Sequence, residues 1–488
     1  MKQGFSNEKY IEMQSAHIRE RISHFDNKLY LEFGGKLYDD YHASRVLPGF
    51  EPDAKLRMLL QLKDQVEIVM AISAEDIEKH KVRADYGITY DNDILRLKGI
   101  LEGMGLFVGS IVMTHFTGQY RAELFKERLE KMGIKVYRHY LIPGYPNNIP
   151  LIVSDEGYGK NEYIETERPL IVVTAPGPGS GKMATCLSQL YHEHKRGIRA
   201  GYAKFETFPI WNLPLNHPVN LAYEAATADL KDVNMIDPFH LEAYNKVTVN
   251  YNRDVEIFPV LKAIFERIYG SSMYQSPTDM GVNMAGNCII DDDACKEASN
   301  QEIIRRYFVA KAGLLKGKVS EDEVGRLELL LNKAGVTEED RRVVVAARDY
   351  AKQTNGPAAA IQLEDGKMVT GRTSDLIGAC TAMLLNALKT LGGIEDEVKL
   401  LDPANITPIQ KLKVDYLGSR NPRIHMEEAL IALSAGATTN PLAKKALEQL
   451  PKLRGMQAHS SVILSEADEK TCQKLGIRMT VENMDNER

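Results

Sequence analysis

Gly177, Gly179, Ser180, Gly181 and Lys182 stand together in the run Thr174-Ala-Pro-Gly-Pro-Gly-Ser-Gly-Lys182. Three alternating glycines let the backbone take conformations that other residues resist, so successive N–H groups can converge on one anion. Lys182 adds a full positive charge, and the helical pattern from Met183 to Arg196 would bring the positive end of a helix to the same point. The chemistry is phosphate binding. Gly177, Gly179, Ser180, Gly181, Lys182 and Thr185 are the candidate residues for holding ATP, another nucleotide or another phosphorylated small molecule. The run departs from the usual phosphate loop at two places. Pro176 stands where a glycine is wanted, and Met183 stands where a Ser or Thr would hold Mg²⁺, with Ser180 and Thr185 the nearest hydroxyls. A tight strand-to-helix turn with no ligand is the competing reading.

A second candidate lies upstream. Leu151-Ile-Val-Ser-Asp155-Glu156 reads as an apolar strand ending in two carboxylates. In many nucleotide hydrolases such an aspartate holds Mg²⁺ and the glutamate positions water. Because Met183 removes one metal ligand from the loop, Asp155 is the candidate metal ligand. Asp155, Glu156 and Lys182 are then the candidate catalytic residues. A strand ending in an ordinary polar turn is the alternative. His192 and His194 are two apart on a helical pattern, a spacing that does not put both on one metal.

The elements around these residues alternate. Strands are expected at Lys28–Phe33, Glu67–Ile72, Phe107–Thr114, Lys135–Leu141, Leu170–Val173 and Ala200–Phe208. Helices are expected at Asp91–Gly103, Gln119–Met132 and from Met183. This rhythm is that of a doubly wound parallel sheet. Ligands of such sheets sit beyond the carboxyl ends of the strands, where Gly34-Gly35-Lys36, Thr114-His115 and the glycine run would all project. The loop that begins at Asp39 follows the first of these. Lys204 and Glu206 share one face of their strand, because side chains alternate. Asp237-Pro-Phe-His-Leu-Glu242, Asn252-Arg-Asp254 and a Gly/Asn-rich loop at Ser276–Asn287 set polar groups among aromatics. From about Ala294 to Lys352 the pattern is helical, with a capping box at Ser320–Glu323, and Asn355-Gly-Pro357 breaks it. Beyond the break, Ala358–Leu363 and Lys367–Thr370 flank an Asp-Gly turn as a hairpin, and a helix runs from Asp375 to Leu391.

Three segments carry a resemblance over essentially the whole chain: Thr174–His194, Gly201-Tyr-Ala-Lys-Phe-Glu-Thr-Phe-Pro-Ile-Trp211 and Asn234-Met-Ile-Asp-Pro-Phe-His-Leu-Glu-Ala-Tyr244. They resemble a bacterial family known only as a domain of unknown function. The resemblance implies a Rossmann-like part, a helical part and a C-terminal part of deaminase-like topology, and it implies no activity. Zinc deaminases hold their metal through a His or Cys and a later Cys-x-x-Cys. Here Cys380 stands alone and no Cys-x-x-Cys occurs, so an α/β domain of that topology without zinc ligands is expected. The divisions expected are 1–225 for the Rossmann-like sheet domain with its glycine loop, 226–354 for a mostly helical region and 355–488 for the C-terminal α/β domain.

The composition bounds the function. With 488 residues, a formal charge of −6 and 26% charged residues, the chain shows no general attraction for nucleic acid or anionic membranes. Five scattered cysteines, odd in number, speak for free thiols in a reducing compartment. No run reaches transmembrane length and the N-terminus has no apolar signal core, so a cytoplasmic protein is expected. An enzyme acting on a nucleotide or another phosphorylated small molecule is the leading expectation, with Mg²⁺ as the candidate metal. Its rival is a non-catalytic phosphate-binding module or scaffold, and a homo-oligomer is expected in either case.

Overall fold

The computed structural model describes residues 2–35, 37–38, 40–83 and 87–484; Lys36 and Asp39 lie outside them. The chain forms two compact units, Lys2–Ser299 and Asn300–Arg488. The stretch 226–354 is therefore shared between them. Among the described residues no helix is long and apolar enough to cross a membrane.

The first unit is built on a parallel sheet of seven strands. In chain order these are β1 (Leu29–Phe33), β2 (Val66–Ser73), β3 (Phe107–Phe116), β4 (Lys135–Tyr140), β5 (Leu170–Thr174), β6 (Gly201–Phe205) and β7 (Gly281–Val282). Their order across the sheet is β7-β6-β1-β5-β2-β3-β4. Every residue of β1, β2, β5 and β6 is buried, as expected of parallel strands covered on both faces. The strands fall where the apolar runs place them, and the helices α1 (Tyr90–Gly103), α2 (Tyr120–Lys131) and α3 (Lys182–Lys195) follow the 3.6-residue pattern.

The order sets the position of the site. From β2 the chain winds outward through β3 and β4, then returns to lay β5 on the other side of β2. The direction of winding reverses between β2 and β5, and the crevice at such a reversal is where α/β sheets bind ligands. β5 is the strand that runs into the glycine loop.

Two stretches differ from expectation. Leu151–Ser154 is not a strand: a single helical turn, Ile149–Ile152, stands there and a tight turn follows. Pro150 explains the change, since it sits in the first helical turn, where its missing N–H costs nothing, whereas in a strand it would remove a ladder bond. Ser276–Asn287 is not a free loop either. It folds as the turn Pro277–Met280, capped by the Ser276 hydroxyl, and then adds β7 to the sheet edge.

The second unit carries a four-stranded mixed sheet. Strands β8 (Ala358–Gln362) and β9 (Met368–Arg372) form the antiparallel hairpin, turning at Gly366 with φ +87°. Strand β10 (Gln457–Ser460) pairs antiparallel with β8 and parallel with β11 (Arg478–Val481), giving the order β9-β8-β10-β11. Ile361, Leu384, Leu388 and Leu433 are among its core residues. The helical stretch before it contains Glu321–Ala334, capped by Ser320 and closed by Gly335, and Arg342–Thr354, closed by Asn355 at φ +49°. The helix expected from Asp375 begins at Ala379, because the Ser374 hydroxyl accepts the Leu376 and Ile377 amides in a local turn.

Candidate functional site

Strand β5 ends at Thr174, and α3 begins at Lys182 with Gly181 as its N-cap residue. Gly179 and Gly181 have φ of +73° and +79°, values that cost other residues energy. Gly177 is required for a different reason: a Cβ there would run into the Tyr90 hydroxyl. Neighbouring strand ends fix the loop. Thr114 Oγ1, at the end of β3, donates to the Ser180 carbonyl at 2.8 Å. The Ser180 hydroxyl turns inward and donates to the Gly177 carbonyl at 2.8 Å, so it braces the loop and leaves only its amide for a ligand.

Among the described residues, the amides of Gly177 and of Gly179 through Ala184 find no acceptor. The first backbone amide here to find an acceptor is that of Thr185, which donates to the Gly181 carbonyl at 2.9 Å as α3 begins. The Thr185 hydroxyl is buried and likewise without a partner among the described residues. Lys182 is half-buried and makes no ion pair or hydrogen bond among them. Burial lowers its pKa below the ordinary lysine value, the Glu32 carboxylate opposing this and the Lys204 ammonium adding to it. A cation, a row of unbonded N–H groups and a helix N-terminus thus meet at the sheet's reversal point. His115, next to Thr114, has φ +50°, a backbone state uncommon outside glycine.

The structure does not bring Asp155 to this point. Its carboxylate accepts from the Tyr191 hydroxyl at 2.8 Å and is ion-paired with Lys195. Tyr191 lies nine residues beyond Lys182 on α3, about 13 Å further along the helix axis. The Asp155 side chain is 76% exposed, and hydrogen bonding from Lys195 and Tyr191 lowers its pKa. Glu156 is exposed beside it. Among the described residues there is no group of three or more His, Cys, Asp or Glu side chains placed to hold a metal ion.

Other charged groups do gather near the loop, on the face of the sheet covered by α3. Glu32 of β1 is in register with Val173 of β5 on one side and with Lys204 of β6 on the other. In-register side chains of parallel neighbours point to the same face. Tyr30, two residues before Glu32, shares that face and donates to Glu193 of α3 at 2.8 Å. Glu32 accepts from the Tyr202 hydroxyl at 2.6 Å. Lys204 Nζ contacts Asp254 Oδ1 at 2.6 Å and Glu206 Oε1 at 3.0 Å, and it donates to the Tyr251 hydroxyl. All four of these residues are buried. The pairing of Lys204 with Glu206 follows from strand alternation. Glu32 and Asp254 are legible only in three dimensions, Asp254 lying 50 residues beyond Lys204 in the chain.

The whole chain is similar to proteins of one family. Residues 3–335 match the model described as "Domain of unknown function DUF1846, N-terminal" and residues 339–487 its C-terminal counterpart. A UPF0371 protein of Streptococcus thermophilus (strain ATCC BAA-491 / LMD-9) is 58% identical over 479 residues, 98% of this chain and 97% of the relative. A UPF0371 protein of Streptococcus pneumoniae (strain JJA) is similar to the same extent.

Proposed function

The chain belongs to the DUF1846 family, and for it we propose binding of a phosphorylated small molecule at the glycine loop, within an enzyme that acts on that molecule. The observation that carries the reading is Lys182: a half-buried ammonium with no direct ion pair or hydrogen bond among the described residues, set among amides with no acceptor. Drawing an ammonium partly out of water without a hydrogen-bonded partner is costly, and a phosphate supplies both the charge and the missing acceptors. Nucleotides, ATP included, meet this requirement, and so do sugar phosphates. The Asp155 carboxylate is engaged by Tyr191 and Lys195 further along α3, so this reading gives the binding step to the loop and Lys182.

In the second unit we read the hairpin β8–β9 followed by the helix Ala379–Gly392 as deaminase-like in topology. It is given no metal chemistry here, because among the described residues no group of three or more His, Cys, Asp or Glu side chains, around Cys380 or elsewhere, is placed to hold a metal ion. The experiment for the binding reading is a thermal-shift panel of ATP, GTP, NAD, coenzyme A and sugar phosphates, with and without Mg²⁺. At least one phosphorylated compound should raise the melting temperature with no need for Mg²⁺. A flat response across the panel, phosphate and pyrophosphate included, overturns it.

A further inference from the structure

Phosphate binding leaves the Lys204 cluster unused. One ammonium there faces two buried carboxyl groups, those of Glu206 and Asp254, both within hydrogen-bond reach of the same Nζ. The groups packed around it are the Tyr251 and Tyr223 phenols, the Asp232–Arg253 ion pair, Glu32 with its Tyr202 donor, and Lys182. Two like charges that share one buried counter-ion do not both ionise readily, so the pair retains a proton. Burial, reinforced by Asp254 and opposed by Lys204, pushes the Glu206 carboxyl up to about 8. As scaffolding this arrangement is poor, since apolar residues fill such a space at lower cost.

Its position gives it another use. Val173, Glu32 and Lys204 are side by side on adjacent strands, so Lys204 stands two strand spacings, about 10 Å, from the strand that feeds the loop. Burial lowers the Lys182 pKa, and Lys204 lies near enough for its charge to lower it further, so the phosphate loop and the cluster share one electrostatic environment.

We propose that Lys204, Glu206 and Asp254 form the acid–base centre of the loop's site, holding one exchangeable proton for the non-phosphate end of a phosphorylated hydroxy or carbonyl compound. The inference rests on the loop binding phosphate. The step is a proton transfer alone: the Glu206 carboxyl gives its proton to a ligand oxygen, and the carboxylate that results is neutralised by the Lys204 ammonium. In the reverse direction the carboxylate takes a proton from a ligand hydroxyl.

The test uses sulfate, an anion that does not itself titrate near neutrality, and the full-length protein. Calorimetric titrations in buffers of different ionisation heat read the protons exchanged on binding. An anion beside Lys182 raises the proton affinity of the nearby carboxyl pair, so wild type should take up a fraction of a proton per sulfate near pH 8 and none near pH 6. Glu206→Gln should abolish the uptake while sulfate affinity stays within about three-fold. Asp254→Asn should do the same and serves where the first variant fails to fold. Lys182→Ala should lose sulfate binding itself. Absence of sulfate binding to wild type overturns the loop reading and this inference with it. Binding without uptake, uptake that persists at pH 6, or uptake that survives in Glu206→Gln assigns the proton elsewhere and overturns the acid–base centre alone.

Discussion

Thr114 Oγ1 donates to the Ser180 carbonyl at 2.8 Å, so the end of β3 reaches across the end of β2 and holds the loop that follows β5. Both groups are buried. Thr114→Val keeps the shape but leaves the carbonyl without this donor, a loss of about 1 kcal/mol. Thermal unfolding should show a fall of about 2–4 °C, with a several-fold loss of phosphate-ligand affinity. Thr114→Ser should restore both. An unchanged affinity in Thr114→Val would mean that the loop keeps its form without this tie.

Gly179 and Gly181 share a positive φ but not the same surroundings. A Cβ at Gly179 meets open space, whereas one at Gly181 lies 3.0 Å from Thr114. Gly179→Ala should therefore cost only the backbone term, about 1 kcal/mol, and Gly181→Ala clearly more. Chemical denaturation of the two variants checks the order, and equal losses would contradict the packing described.

The Asp155–Lys195 pair is exposed, and pairs of that kind contribute little to stability. Asp155→Asn should leave the melting temperature, the affinity for phosphorylated ligands and any response to Mg²⁺ nearly unchanged. A lost Mg²⁺ response in this variant would return Asp155 to the site.

What the sequence showed and what it hid have separate physical causes. Strand, glycine loop, lysine and helix are consecutive, so β5, the loop and α3 were readable from spacing alone. The Ser320 cap and the Asp-Gly hairpin are equally local. The strand expected at Leu151–Ser154 gives way to a helical turn because Pro150 stands immediately before that run and its ring suits the first turn of a helix. The Gly281–Val282 strand is two residues long and has no period to read. Asp254 and Glu32 reach Lys204 and Lys182 only through strand order and helix packing, which no spacing along the chain encodes.

In the second unit, His459 Nε2 lies 3.0 Å from Glu482 Oε1, and Arg348 Nε donates to the same carboxylate at 2.9 Å. Burial works against the charged form, but His459 and Arg348 outweigh it and hold the Glu482 carboxyl down at about 2. The unfolded chain, whose glutamate has its ordinary value, then binds more protons than the folded one as the solution is acidified. The stabilisation, on the order of 3 kcal/mol, is complete above the ordinary carboxylate range and is lost as pH falls from about 4.5 toward 2. Glu482→Gln should be less stable at pH 7 and should lose less stability than wild type on acidification. Urea unfolding followed at several pH values checks this, and parallel profiles for the two proteins would contradict it.

Lys182 carries the account, and calorimetric titration of wild type and Lys182→Ala with the best phosphorylated ligand of the thermal-shift panel tests it most directly. A charge-assisted hydrogen bond of this kind contributes roughly 1.5–3 kcal/mol, so the variant should bind about ten- to a hundred-fold more weakly and keep the wild-type fold. Equal affinity in the two proteins would contradict the assignment of the glycine loop as a phosphate site.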